Sequence, residues 1–249
     1  MLTNGSITPV TTDPDNRPAE DDDTRLEAPD VTEPDVTAPE EAPPEEEIRR
    51  AARPGSLLRR VLDELVELDV AVYEAVEATP TPTIDVPLRK LSNAANHAKL
   101  YAGIAAVLFA LGGPKGRRAA VTGLAAVGMN SFVVNVPMKY LGNRPRPDRG
   151  RVRVAEARHT KMPTSTSFPS GHSASGFAFA AGAAEAMPQL GIPLRALATA
   201  VAYSRIHSGV HYPGDVVVGS LVGMAVGEST VLASRAVRKR LGIGGSAAR

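Results

Sequence analysis

Twenty consecutive residues without a charge, Ala119 to Met138, constrain this chain more than any other feature. A helix of that length reaches roughly 30 Å, the hydrocarbon thickness of a bilayer. Four other blocks are nearly as apolar. Leu100 to Pro114 carries no charge, Ser173 to Ile192 only Glu185, Leu194 to Tyr203 only Arg195, and Val216 to Ser234 only Glu228. These blocks are short or marginal and rich in Ala and Gly, small residues that let helices approach closely inside a membrane. A soluble bundle with alanine-rich core helices would share the composition, but the hydropathy pattern favours the membrane. The expected fold is therefore all-α, a membrane-embedded bundle of about five apolar helices, one per block.

The formal net charge of +1 hides an asymmetry. Residues 1–50 hold 15 acids against 4 bases, with eight prolines and almost no large apolar side chains. Such a segment cannot bury enough surface to offset chain entropy, so a disordered acidic tail is expected there. It reads either as a docking tail or as a dispensable solvated extension. The helical body is expected over 51–240, with a flexible tail over 241–249. Met1 to Val10 shows no basic region followed by an apolar one, so no cleavable signal is visible. Without cysteine there is no disulfide, zinc-thiolate site or cysteine nucleophile. Without tryptophan, and with 4% aromatics, a nucleic-acid stacking platform is not expected.

Between tail and apolar blocks, Leu58, Val61, Leu62, Leu65, Leu68, Val72 and Val76 recur at three- and four-residue steps. Arg59, Arg60, Asp63, Glu64, Glu67 and Glu74 fill the other face. The spacing predicts an amphipathic helix over 56–78, too charged to span alone, which either lies on a membrane surface or packs on its own protein. Thr79-Pro80-Thr81-Pro82 ends it.

Polar residues foreign to apolar helices gather in three places. Lys139, Arg144, Arg146 and Pro147 follow the longest block; Pro169-Ser170-Gly171-His172 precedes the next; Ser204, Arg205, His211 and Asp215 lie between the last two. With alternating helices, all three fall at one end of the bundle. Lys139, Arg146 and Arg205 supply cations suited to phosphate oxygens. Ser170, Gly171 and His172 sit at a helix start, where free N–H groups favour an anion. Asp215, four residues beyond His211, can accept a hydrogen bond from one ring nitrogen and raise the basicity of the other, as in an activated nucleophile. His172 is left as a general acid. Taken singly, each cluster has a plainer reading: a headgroup-anchoring basic flank, a turn with a helix cap, a structural His–Asp pair.

Taken together, Lys-x6-Arg-Pro, Pro-Ser-Gly-His and Ser-Arg-x5-His-x3-Asp resemble the motifs of the type-2 phosphatidic acid phosphatase superfamily, which includes bacterial acid phosphatases and vanadium haloperoxidases. The resemblance covers roughly residues 90–235 and stands without a departure at the motif positions. It implies that His211 attacks phosphorus to form a phosphohistidine, that Asp215 orients it, and that His172 protonates the leaving alkoxide. It assigns the phosphate oxygens to Lys139, Arg146, Arg205, Ser170 and the Gly171 amide. No metal or other cofactor is implied. The expected activity is a phosphatase acting on a lipid-linked phosphate: phosphatidic acid, phosphatidylglycerophosphate, a polyprenyl phosphate or pyrophosphate, or decaprenyl-phosphoryl-ribose phosphate. The last is suggested by an Ala-, Arg-, Val- and Gly-rich composition of the kind GC-rich actinobacterial genomes encode. The alternatives are a soluble-type acid phosphatase or vanadate-dependent haloperoxidase, and a non-enzymatic lipid-binding membrane protein. His207, Arg144, Arg149, Arg151 and Arg153 are weaker candidates; His207 reads as structural, and the arginines of the 148–167 loop as steering an anionic headgroup or as solvated charge.

Expected partners are the lipid phosphate and membrane lipids, with no nucleic acid; the oligomeric state is open. Lys115, Arg117, Arg118, Arg235, Arg238, Lys239 and Arg240 lie at the end opposite the motifs and mark it as cytoplasmic. The expected location is thus a multi-pass cell-membrane protein with its site on the extracytoplasmic face. If the helix over 56–78 does not cross, the acidic tail lies on the same side as the site and argues the other way.

Overall fold

The computed structural model describes residues 54–152 and 154–242. The acidic tail expected over 1–50, and nearly all of the tail expected over 241–249, lie outside the described residues. Among the described residues there is no β-strand. Seven helices carry the architecture: α1 Pro54–Ala78, α2 Pro82–Ala94, α3 Lys99–Leu111, α4 Gly113–Val133, α5 Gly171–Ala184, α6 Gly191–His207 and α7 Pro213–Arg240.

The proline-rich stretch after Ala78 ends α1, and Pro82 then opens α2, since proline's fixed φ and missing N–H suit a first helical turn. The chain bends by 67° between α2 and α3. At the bend His97 and Ala98 hold left-handed φ values of 54° and 58°, a conformation that costs a residue with a Cβ roughly 1–3 kcal/mol. Helix α4 continues through a π turn, Val134–Met138, around Pro137, which has no N–H to continue the α pattern. The segment Gly113–Met138 and helix α7 are each long and apolar enough to cross a membrane, and the bent pair α2–α3 makes a third if counted as one span.

Helices α5 and α6 have 14 and 17 residues, so they reach only about 21 and 26 Å at 1.5 Å per residue. The apolar block from Ser173 to Ile192 is not one helix; it is interrupted by the turn Pro188–Leu190. Helix α5 is the central element, packed by α4, α6 and α7, with both faces buried. Its cap Ser170 and its alanines Ala174, Ala178 and Ala181 meet the glycine stripe Gly219, Gly223 and Gly227 of α7. A methyl at Gly219 or Gly223 would overlap the backbone of Ser170 or Ala174. That close approach fixes the start of α5 beside the start of α7. Outward, α3, α4 and α7 present large apolar side chains such as Phe109, Phe132 and Leu221, the pattern of helices solvated by lipid.

Helix α1 meets the bundle with its polar side. Tyr73 and Glu77 are buried and Asp69 is half-buried, all at four-residue spacing. Leu58, Leu62, Leu65, Leu68 and Val72 face outward. Of the two readings the sequence left open, the structure shows the helix packed on its own protein, through this polar side and not through the apolar stripe. Buried Arg158 fastens this end of the molecule: it donates to the carbonyls of Val76 and Thr79 at 3.3 and 2.6 Å and pairs with Glu77 and Asp85.

Candidate active site

Lys139 follows directly on the π turn and opens the short turn Lys139–Leu141. The loop over 142–170 then runs back across the end of the bundle. Arg146 holds this loop to the next: it donates to the carbonyl oxygens of Ser165, Thr166 and Val210 at 2.8, 3.1 and 2.7 Å, and to the Ser165 hydroxyl at 3.2 Å. Lys139 Nζ reaches the same hydroxyl at 2.8 Å. Ser170 caps α5, so Gly171 and His172 form its first turn. Helix α6 delivers Arg205 at its end; the turn after it carries His211; Asp215 lies in the first turn of α7 and accepts the Tyr212 N–H at 2.9 Å.

These segments enclose a cavity of about 360 Å³. Lys139, Arg146, Gly171, His172 and His211 line it, together with Ser165, Asn130, Ser175 and the strained His97 and Ala98. Arg146 NH1 stands 3.2 Å from His211 Nε2. On the other side of the ring, Nδ1 is 3.5 Å from Asp215 Oδ2 and 3.5 Å from the Ser167 hydroxyl. Ser167 itself donates to Asp215 Oδ2. Burial pushes the His211 imidazole down to about 4. The Asp215 hydrogen bond opposes this, and the Arg146 and Arg205 guanidinium groups add to it. Near neutral pH the ring is therefore neutral, with a lone pair available at Nε2. Burial and then the charge of Arg146 also hold the Lys139 amine below the usual lysine range.

Three residues expected at the site lie behind its lining. Ser170 is fully buried, and its hydroxyl pairs with that of Ser173 at 2.8 Å. In this state it is a helix cap and does not face the cavity. Arg205 is also buried; it donates to Ser92 at 2.5 Å, while its Nε has no hydrogen-bond partner. A buried guanidinium with an unused donor is a cation placed for an anion. Asp215 is wholly buried, as suits a residue that acts through His211. His172 Nε2 is 2.8 Å from Asn96 Oδ1, so Nδ1 is the ring nitrogen left for other chemistry. His207 lies outside the cavity, bonded to Thr81 at 2.9 Å and to Asp85 at 3.1 Å. Arg149 donates to the carbonyls of Ser208 and Thr160 at 2.6 and 2.9 Å and so shapes the turn that carries His211. Arg144 pairs with Asp215 Oδ1. Ser92, Asn96, Ser165 and Ser167 carried no spacing signal in the sequence, because single small polar residues in loops and helix ends are ordinary. Among the described residues no three His, Asp or Glu side chains converge to hold a metal ion.

The PAP2 superfamily model matches residues 119–239, which contain every motif residue of the cavity. The chain is 36% identical over 165 residues to decaprenylphosphoryl-5-phosphoribose phosphatase of Mycobacterium tuberculosis, covering 64% of this chain and 86% of that protein. This chain belongs to the PAP2 superfamily. The protein of the same name from Mycolicibacterium smegmatis is 34% identical over 155 residues, covering 60% of this chain and 79% of that one. The fold is shared with Aquifex aeolicus LpxE, with a TM-score of 0.53, 24% identity and coverage of 66% of this chain and 94% of that one. It is shared too with a Bacillus subtilis transmembrane PAP2-type phosphatidylglycerolphosphate phosphatase, with a TM-score of 0.54, 20% identity and coverage of 70% and 88%. This PAP2 member is an enzyme, a phosphatase, and a membrane protein.

Proposed function

We propose that this chain is a lipid phosphate phosphatase that removes the phosphate from a polyprenyl-linked sugar phosphate of the decaprenylphosphoryl-5-phosphoribose type, through a phosphohistidine at His211. Two findings support this. The relatives that carry that name match the chain over most of their length. The Nε2 lone pair of His211 faces a cavity whose other charged walls, Lys139 and Arg146, are cationic.

In the reaction, phosphate oxygens take the donors of Lys139, Arg146 and the α5 amides, and the approach of an anion draws on Arg205. Nε2 attacks phosphorus and the ester P–O bond breaks. His172 donates through Nε2 to Asn96, so its Nδ1 takes up the proton carried by a phosphate monoanion and returns it to the departing alkoxide. Water, deprotonated by His172, then cleaves the P–N bond and frees phosphate. The imidazolium character that develops on His211 is offset by Asp215, and fixed donors around the phosphorane lower the barrier.

Charge supports a finer location. Arg118, Arg235 and Arg238 converge on Glu185 at the end of the bundle opposite the cavity. Lys115, Arg117, Lys239 and Arg240 lie at that same end. We place it in the cytoplasm and the cavity on the extracytoplasmic face, with α1 along the membrane surface, its outward leucines in lipid.

Purified protein in detergent and EDTA is expected to release phosphate from decaprenylphosphoryl-5-phosphoribose faster than from phosphatidic acid. Rapid denaturation should trap an acid-labile, base-stable phosphoprotein. Full activity in His211→Ala would remove the mechanism, and preference for phosphatidic acid would remove the substrate.

A further inference from the structure

Asp69, on α1, lies 50 residues outside the segment matched by the family model, yet it touches the supports of the nucleophile. Its Oδ2 is 2.6 Å from Arg144 NH1, and its Oδ1 accepts the N–H of Gly214, in the first turn of α7, at 2.6 Å. The same Arg144 nitrogen stands 3.3 Å from Asp215 Oδ1. Arg144 is held against the Tyr212 ring, 4.0 Å from its centroid. Tyr212 in turn packs edge-on against Tyr73 of α1. One guanidinium nitrogen is thus shared by two carboxylates, one of which serves His211.

We propose that Asp69 and Arg144 are positioning residues for phosphoryl transfer, acting on His211 through Asp215. The proposal rests on His211 being the nucleophile. The physical logic is a divided charge. Arg144 fixes Oδ1 of Asp215 so that Oδ2 faces the imidazole. Asp69 draws most of the cation's charge to itself, so Asp215 keeps enough negative charge to support the His211 Nδ1–H. Without Asp69, Arg144 neutralises Asp215 and the imidazole becomes less basic. Without Arg144, Asp215 is more negative but held only through Oδ2, by Ser167 and the Tyr212 N–H. The other groups facing His211, namely Arg146 from the loop, Arg205 from α6 and His172 from α5, are the same in either case.

The test is the pH dependence of kcat/KM for the full chain in detergent, with His211→Ala as the reference. Asp69→Asn is expected to lower kcat about tenfold and move the acid limb to lower pH. Arg144→Gln is expected to lower kcat similarly and move the limb to higher pH. The double variant should return the limb toward that of the parent, with a kcat loss smaller than the product of the two. KM should change less than threefold throughout, because neither side chain lines the cavity. Glu77→Gln loosens the anchoring of α1 to Arg158 without touching this pair and should leave the limb in place. If His211→Ala is inert while the Asp69 and Arg144 variants lose activity additively with an unmoved limb, or Glu77→Gln reproduces their shifts, the pair is only structural and the inference fails. An active His211→Ala would instead remove the catalytic reading beneath it.

Discussion

Arg146 covers Nε2 of His211: NH1 stands 3.2 Å from it. A guanidinium has only donors, so Nε2 is the acceptor and the ring proton sits on Nδ1, facing Asp215. This is the tautomer that the proposed attack through Nε2 requires. A phosphate that takes over the guanidinium uncovers the lone pair at the same moment, which ties binding of the anion to exposure of the nucleophile.

Arg146→Lys keeps the charge but not the fork. Lysine cannot reach the carbonyls of Ser165, Thr166 and Val210 together, so both the loop and the phosphate lose geometry. We expect kcat/KM to fall by roughly 10²–10³, as for removal of one well-placed transition-state donor. Steady-state kinetics on the lipid substrate, with inhibition by inorganic vanadate alongside, measures it. A loss of less than threefold would show that charge alone suffices at this position.

The acid limb of the parent enzyme should lie low. His211 is pushed down to about 4, below the ordinary histidine value of about 6.5, so the ring stays neutral and nucleophilic as pH falls from 7 to 5 and is protonated only near 4. After correction for ionisation of the substrate, kcat/KM should be flat over that range and decline below it. Arg146→Gln removes a cation that opposes protonation, so its limb should move upward. A parent limb near 6.5 would mean that His211 is not the titrating nucleophile.

Ser167 donates to the oxygen of Asp215 that faces His211. A hydrogen bond to a charged group contributes about 1.5–3 kcal/mol, so Ser167→Ala is expected to lower kcat by roughly 10- to 100-fold with little change in KM. Ser167→Thr, which keeps the hydroxyl, should recover much of the loss. Equal losses in both variants would point to loop packing as the cause.

The motifs made most of the cavity legible in the sequence because each carries its function in residue type and spacing: Lys139 with Arg146, Gly171 with His172, His211 with Asp215. The length of the apolar run Ala119 to Met138 likewise announced a span. What was hidden depends on contacts across the fold. Asn96 becomes meaningful only where the strained bend at His97 and Ala98 sets it against His172. Ser92 matters only where α2 crosses α6 to meet Arg205. The apolar stripe of α1 was plain, but its direction was not. Asp69 and Glu77 carry no signal of their own in the sequence and become meaningful only where Arg144 and Arg158 pair with them.

The Ala and Gly content pointed to close helix contacts, but only the structure tells one glycine from another. At Gly223 a methyl would overlap the backbone of Ala174 in α5, where no side chain can move aside. At Gly128 of α4 a methyl meets nothing within 4 Å. Gly223→Ala is therefore expected to cost about 1–3 kcal/mol through forced separation of α5 and α7. Because those helices carry His172 and Asp215, activity should fall with stability. Gly128→Ala should be neutral or stabilising by up to about 1 kcal/mol, the gain in helix propensity. Thermal unfolding midpoints in one detergent, read with activity, decide the matter: equal midpoints for the two variants would show that α5 and α7 are not in backbone contact.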